Sequence, residues 1–165
     1  MTDILVVGKR KDTCYDVDFE TGRFFLTLKY DTGAVCTVIS ARNLKRSLTP
    51  ENLERIKDFC EQKGCDKTSL LSASGHPFWG YLVRVDTARI GSSRFHDFHF
   101  YLVVENGRNI ALLGFDFIDK TKRIIEPCGN CIMSQFDDSA YRRVQRGQAL
   151  DGNELIAFID SLTKV

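Results

Sequence analysis

The tetrapeptide Asp31-Thr32-Gly33-Ala34 lies between two segments of β-strand composition and constrains the fold more than any other part of the chain. Residues 24–30 before it and residues 35–40 after it are rich in aromatic and β-branched side chains, which favour strands. Asp31 is therefore expected on a tight turn between two buried strands, where Gly33 has no side chain to prevent close backbone approach. A carboxylate on such a rigid loop is suited to acid–base chemistry.

A second motif lies in the last third of the chain, where the apolar run Ala111-Leu112-Leu113 is followed by Gly114-Phe115-Asp116. Asp-Thr-Gly alone is weak evidence, because it should occur by chance in about one chain in thirty of this length. Between the two motifs, residues 72–75 followed by residues 80–83 look like a flap hairpin. In this order, the three segments resemble the retropepsin-like aspartic proteases, and the likeness covers about residues 18–136.

The resemblance implies a mostly β fold, namely the closed β-barrel that makes up one half of an acid protease. A length of 165 residues suits one domain, so residues 1–165 are expected to form a single retropepsin-like unit. Two helices are expected to be added to the barrel. One is inserted after the aspartate loop at residues 50–63, and the other forms a C-terminal extension at residues 151–163.

Local signals define the other predicted elements. Thr49 is a suitable N-cap for the first helix, and Gly64 is suited to end it. Asp151 is placed to cap the last helix. Strand signals occur in the segments 17–30, 35–40, 68–73, 78–85 and 95–104, and a closing hairpin is expected from 123–126 and 130–136.

The mechanism implied by the resemblance requires two carboxylates, whereas Asp-Thr-Gly occurs once in the chain. One ionised carboxylate draws a proton from water, and a protonated one hydrogen-bonds the scissile carbonyl. The resemblance therefore implies a twofold homodimer in which Asp31 meets its copy. In that arrangement Thr32 bonds to the opposite loop, while Gly33 offers its amide to a carboxylate oxygen and its carbonyl to the substrate.

The resemblance also implies which residues contact a peptide or protein substrate. Ala34 lies beside the catalytic carboxylate, and the flap at residues 73–79 closes over an extended peptide. The flap residues expected to contact the substrate are Ser74, Gly75, His76 and Trp79. For His76 a solvent-exposed loop position is the competing interpretation, and for Trp79 a packing role. Leu112 to Gly114 are expected beneath the active-site loop, with Asp116 as the N-cap of a helical turn at 116–121.

Two other interpretations of the Asp-Thr-Gly segment remain open. It is also what an ordinary turn requires, because Asp and Gly favour turns and Thr favours strands. A chain with the same fold could instead be a non-catalytic dimer that binds extended peptide segments in the groove. The substitution Asp31→Asn separates an enzyme from such a binding module.

Composition argues against several other classes of function. The net charge of +1 gives no electrostatic reason to expect nucleic acid or an anionic membrane as a partner. No segment approaches the roughly 20 apolar residues of a membrane span. The apolar stretch within residues 1–8 is too short, and is interrupted by charge too soon, to be a signal peptide. A cytoplasmic location is therefore expected.

The six cysteines offer a zinc site as an alternative to structural thiols. Cys60 and Cys65 could combine with Cys128 and Cys131 into a four-sulfur site. The first pair straddles a helix end at uneven spacing, so reduced structural thiols are the preferred interpretation, and no metal or cofactor is expected.

Overall fold

The computed structural model describes residues 3–11, 14–31, 33–71, 75–125, 131–136 and 147–162. The strands in these residues are β1 (Asp3–Lys11), β2 (Cys14–Thr21), β3 (Phe24–Tyr30), β4 (Val38–Ser40), β5 (Lys67–Leu71), β6 (Pro77–Ile90), β7 (Ser93–Val103), β8 (Ala111–Leu113), β9 (Thr121–Ile125), β10 (Cys131–Phe136) and β11 (Leu150–Asp151). The helices are α1 (Ala41–Leu44), α2 (Pro50–Lys63), α3 (Phe115–Ile118) and α4 (Gly152–Leu162).

Six of these strands form a closed barrel in the order β6-β7-β4-β8-β3-β2. The ring closes where β2 pairs with β6, with Phe19 opposite Ile90 and Glu20 opposite Arg89. Pairing is antiparallel except between β4 and β7 and between β3 and β8. The mostly β, closed-barrel architecture expected from the sequence is therefore confirmed.

Alternation along the strands fills the barrel with apolar side chains. In β3, buried and exposed residues alternate without exception, so the exposed Lys29 does not disturb the buried face. Aromatic rings meet inside the barrel: the ring centroids of Phe19 and Phe98 lie 5.6 Å apart, and those of Phe95 and Phe117 lie 5.2 Å apart. Phe117 thereby joins the helical turn α3 to the core.

The inserted helix α2 begins and ends as its sequence predicts. Thr49 Oγ1 accepts a hydrogen bond from the Asn52 amide at 3.2 Å, which is an N-cap interaction. Gly64 ends the helix with φ of 69°, a left-handed conformation that glycine adopts without steric cost. Leu53 and Ile56 are buried on the face that packs against the barrel.

The C-terminal helix α4 packs against the same side of the barrel as α2. Asp151 Oδ1 accepts the Asn153 amide at 2.9 Å, so the expected cap is present. The rings of Phe59 and Phe158 stack with centroids 4.4 Å apart, which joins the two helices. Strand β11 pairs in parallel with β6 just before the helix and so fixes where it starts.

Three local expectations need correction. The strand expected at 35–40 is shortened to Val38–Ser40, because the carbonyls of Ala34 and Val35 accept hydrogen bonds from the start of α3 instead. The helical turn lies at Phe115–Ile118 rather than 116–121. Asp116 is not its N-cap; Gly114 holds that position, and the Asp116 carboxylate bonds to the segment that precedes β4.

Two hairpins expected from the sequence are present, one formed by β5 and β6 and the other by β9 and β10. Strand β5 pairs with the start of β6, from Lys67 opposite Tyr81 to Leu71 opposite Pro77. Strand β9 pairs with β10, which also pairs with β1. Residues 72–74 and 126–130, which lie between the strands of these two hairpins, are outside the described residues. No helix among the residues described has the length and apolar character needed to cross a bilayer.

Gly114 lies where two segments approach too closely for any side chain. A Cβ atom at this position would overlap the carbonyl carbon and oxygen of Cys36. We expect Gly114→Ala to lower the free energy of unfolding by about 3 kcal/mol or more, because backbone atoms must move apart. Urea denaturation followed by circular dichroism measures the change.

Gly64→Ala is the matched control for this prediction. The added methyl group has open space, and the left-handed φ alone should cost about 1 kcal/mol. Equal losses for the two variants would contradict the claim that the close approach at Gly114 is what excludes a side chain.

Candidate active site

Asp31 follows directly after β3, and the turn that follows it holds its carboxylate. Its amide donates to the Leu113 carbonyl at 3.1 Å, which ties the end of β3 to β8. The Gly33 amide donates to Asp31 Oδ1 at 2.8 Å, as the resemblance implies. The Ala34 amide donates to the Asp31 carbonyl at 3.3 Å and closes the turn.

The segment after this turn is fastened to the start of α3 by backbone hydrogen bonds. The Phe115 amide donates to the Ala34 carbonyl at 2.7 Å, and the Asp116 amide donates to the Val35 carbonyl at 3.2 Å. These two bonds follow the turn and the Asp31–Leu113 bond precedes it, so the turn is attached on both sides to the segment 113–116. The position of the Asp31 carboxylate is therefore set by a chain segment more than 80 residues away in sequence.

A buried hydroxyl joins the same two segments. Thr37 Oγ1 accepts the Gly114 amide at 3.1 Å and donates to Asp116 Oδ1 at 3.0 Å. The Thr37 amide donates to Asp116 Oδ2 at 3.2 Å. Burial raises the pKa of Asp116, and the hydrogen bonds from Thr37 and Phe117 oppose that rise. Sequence reasoning missed Thr37, because its full burial next to β4 is visible only in the structure.

A cleft of about 820 Å³ opens beside Asp31. Backbone and side chains of the turn form one part of its wall, and the hairpin β5–β6 forms another. Its apolar lining consists of Val35, Val38, Leu70, Leu71, Phe78, Ile110 and Leu112. Among the described residues that line this cleft, Asp31 is the one carboxylate.

Cys36 also lines the cleft, and its environment keeps the thiol protonated. Burial, with a smaller contribution from the Asp116 carboxylate, raises the pKa of Cys36 to about 12. Because the thiolate is the nucleophilic form of cysteine, this thiol is unreactive at neutral pH. Thiol-protease chemistry at Cys36 is therefore disfavoured.

The structure brings together some of the residues that the sequence assigned to the site. Asp31, Gly33 and Ala34 all line the cleft. Thr32 and Ser74 lie outside the described residues. Their roles therefore stay predictions, as do the catalytic and binding roles of the residues that the structure does place.

The other residues that the sequence assigned to a flap are not among those that line the cleft. Gly75 and His76 are exposed and do not contribute to the lining. The ring of Trp79 lies 4.9 Å from the Lys67 ammonium, whereas its neighbour Phe78 lines the cleft. Adjacent residues of a strand face opposite sides, so β6 presents Phe78 towards the cleft and Trp79 away from it.

The zinc interpretation stays a prediction. No group of three or more potential ligands occurs within the described part of the chain. Cys128 and the side chain of Cys131 are not included in that part. Cys65 Sγ donates to the Cys60 carbonyl at 3.5 Å, in keeping with a structural thiol.

The substitution Thr37→Val tests the buried hydroxyl. It leaves the Gly114 amide without its acceptor and the Asp116 carboxylate without one donor, so we expect a loss of about 3 kcal/mol in unfolding free energy at neutral pH. Thr37→Ser keeps the hydroxyl and should lose only about 1 kcal/mol with the methyl group. Urea denaturation of both variants measures the difference.

The loss in Thr37→Val should also depend on pH. The folded pKa of Asp116 already lies above its ordinary value, so its contribution to stability is present at low pH and is lost as pH rises. Removing a donor to the charged form raises that pKa further. The variant should therefore lose more stability at about pH 7 than at about pH 4, and a pH-independent loss would contradict the assigned bond.

The comparisons with known proteins agree with this architecture. The chain is similar to a solved retropepsin-like aspartic protease from Rickettsia conorii, with a TM-score of 0.51 and 12% sequence identity, over 82% of this chain and 92% of that one. No protein-family profile and no curated protein sequence matches the chain. At this identity the likeness establishes the fold alone: the chain folds as a retropepsin-like closed barrel.

Proposed function

We propose that this protein is an aspartic endopeptidase that hydrolyses peptide bonds with water activated between two Asp31 carboxylates of a homodimer. One observation carries the proposal. In a retropepsin-like barrel, Asp31 lies at the wall of a large cleft, on a turn whose Gly33 amide donates to its carboxylate. A peptide substrate in that cleft would meet the carboxylate directly.

The chemistry needs both carboxylates in different protonation states. The ionised one accepts a proton from the attacking water, and the protonated one donates a hydrogen bond to the scissile carbonyl oxygen. The resulting tetrahedral intermediate collapses when the peptide nitrogen takes up a proton and the C–N bond breaks. Two close carboxylates favour this state, because like charges oppose ionisation of the second group.

A second copy of the chain supplies the missing carboxylate. Asp31 has no carboxylate partner among the described residues that line the cleft. Two apolar side chains beside the turn are unusually open: Val35 is 83% exposed and Phe115 is 45% exposed. Burying them against a twofold-related copy would remove apolar surface from water and bring the two turns together.

The cleft lining suits an extended peptide with large apolar side chains. Phe78, Leu70 and Leu112 provide apolar contact surface. Strand β5 pairs with β6 on one side, so the hairpin that leads to the flap forms a wall along which a peptide can lie. The flap residues Ser74, Gly75 and His76 then close over the substrate as the sequence predicts.

The substitution Asp31→Asn tests catalysis. Asn keeps an oxygen to accept the Gly33 amide but cannot act as the base, so we expect peptide hydrolysis to fall by at least about a thousandfold. Digestion of a peptide library followed by mass spectrometry measures the loss. Asp58→Asn, the same change on the exposed face of α2, is the matched control and should retain full activity.

The same pair of variants separates the enzyme from a peptide-binding module. If the wild-type protein binds peptides, dimerises and cleaves none of them, the module is supported and the proposal fails. Equal cleavage by wild type and Asp31→Asn would show that Asp31 is not the catalytic base.

Mixing subunits tests whether both aspartates serve one site. When Asp31→Asn subunits are mixed in equal amounts with wild type, activity per wild-type subunit should fall to roughly half, because random pairing leaves about half of those subunits with a wild-type partner. Native mass spectrometry confirms that subunits have exchanged. Asp58→Asn subunits should cause no loss. Unchanged activity in the presence of exchanged Asp31→Asn dimers would contradict the shared site.

A further inference from the structure

A second pocket, of about 470 Å³, lies next to the cleft and has a different chemistry. We call it the basic pocket; its lining residues are Arg42, Asn43, Arg46, Gly107, Arg108 and Asn109. None of these residues has a role in the proposed hydrolysis. The pocket is therefore not explained by the proposed hydrolysis.

Hydrogen bonds between the two walls of the basic pocket hold them in place. The Ile110 carbonyl accepts the Ser40 amide at 2.7 Å and the Asn43 side-chain amide at 2.8 Å. The Ile110 amide in turn donates to Ser40 Oγ at 2.8 Å. Helix α1 and the loop before β8 are thus joined at Ile110, so the backbone on both sides of the pocket is held in place.

The charge in this pocket is poorly compensated. Within the described part of the chain, no carboxylate lies within ion-pair distance of Arg42 or Arg46, and the buried Arg42 Nε has no hydrogen-bond acceptor. Arg108 is the exception, since it pairs with Glu105 at 3.4 Å. Three guanidinium groups around one small space repel each other, and a buried donor without an acceptor is costly.

We infer that the basic pocket binds an oxyanion, which is a carboxylate or phosphate group. Such a group offsets the repulsion between the guanidinium groups, because its charge is opposite to theirs and its oxygens accept hydrogen bonds from the arginine side chains that line the pocket. Guanidinium groups match carboxylate and phosphate oxygens in pairs, with two parallel hydrogen bonds. The side-chain amide of Asn109, which is exposed in the same pocket, adds a neutral donor.

The basic pocket shares a wall with the cleft. The Phe78 ring lines the cleft, and the Arg108 guanidinium lies 4.8 Å from its centroid. Ile110 lines the cleft, while its neighbour Asn109 lines the basic pocket. The oxyanion thus has two possible sources: an acidic side chain of a peptide that occupies the cleft, or a free anion.

Binding of inorganic phosphate tests the site without any need for catalysis. In the Asp31→Asn protein at constant ionic strength, we expect phosphate to produce saturable amide NMR shifts centred on residues 42–46 and 107–109. The added double substitution Arg42→Gln and Arg46→Gln should weaken this binding by at least about tenfold, because charge-assisted hydrogen bonds are lost.

Arg55→Gln with Arg94→Gln is the control variant, since it removes the same charge from exposed positions outside the pocket. It should bind phosphate as the parent does. Arg46→Gln alone, at an exposed position, provides a second test if the double variant is unstable. No saturable shift in the parent, or equal affinity in the parent and both pocket variants, would overturn the inference.

Peptides identify the source of the oxyanion. Two matched peptides that bind the cleft, one with glutamate and one with glutamine at a flanking position, are titrated in the presence of phosphate. Displacement of phosphate by the glutamate peptide alone assigns the pocket to the substrate, whereas undisplaced phosphate assigns it to a free anion. Both readouts measure binding and not cleavage. If the wild-type protein cleaves no peptide, the phosphate measurement is unaffected, so this inference and the proposed hydrolysis fail separately.

Discussion

The Thr37 hydroxyl is the contact on which the candidate site depends. It accepts the buried Gly114 amide and donates to the buried Asp116 carboxylate, so it connects the segment after Asp31 to the start of α3. Backbone bonds on either side of it then fix the turn that carries Asp31. A buried amide or carboxylate without a hydrogen-bond partner would lower the stability of the fold. The arrangement in which Thr37 satisfies both groups is therefore favoured.

The absence of a side chain at Gly114 makes this arrangement possible. A Cβ atom there would overlap the Cys36 carbonyl, so the segments could not approach closely enough for the Thr37 hydroxyl to reach its partners. The aspartate turn and the Gly114 segment are thus one structural unit, although they are distant in sequence. A site whose supports are backbone bonds and buried hydrogen bonds holds its carboxylate in a defined place, as acid–base chemistry requires.

The hairpin β5–β6 has an apolar face towards the cleft and an opposite face on which a lysine lies over Trp79. Phe78 faces the cleft and supports the Arg108 guanidinium, whereas Trp79 lies on the other face with the Lys67 ammonium above it. The Trp79 amide is held by the Glu105 carboxylate at 3.3 Å, and Glu105 also pairs with Arg108. The start of β6 is therefore linked to the loop that forms one wall of the basic pocket.

Elements defined by local signals were predicted well from the sequence. Helix α2 follows from its Thr49 cap, its apolar spacing and Gly64, and α4 follows from the Asp151 cap. These signals act over one or two turns of chain, so neighbouring residues suffice to specify them. The strand expected at 35–40 was too long because contacts distant in sequence decide where it starts. The Val35 carbonyl accepts a hydrogen bond from the start of α3 and not from a neighbouring strand.

The sequence by itself determined most of the strand segments, both long helices and the position of Asp31 on a turn after a buried strand. Tertiary structure alone decided that Thr37 supports the site, that Phe78 rather than Trp79 lines the cleft, and that separate arginines meet in one basic pocket. The physical reason is the range of the interactions. Caps, turns and alternation act between residues close in sequence, whereas buried hydrogen bonds, cleft walls and charge clusters depend on which distant segments the closed barrel brings together.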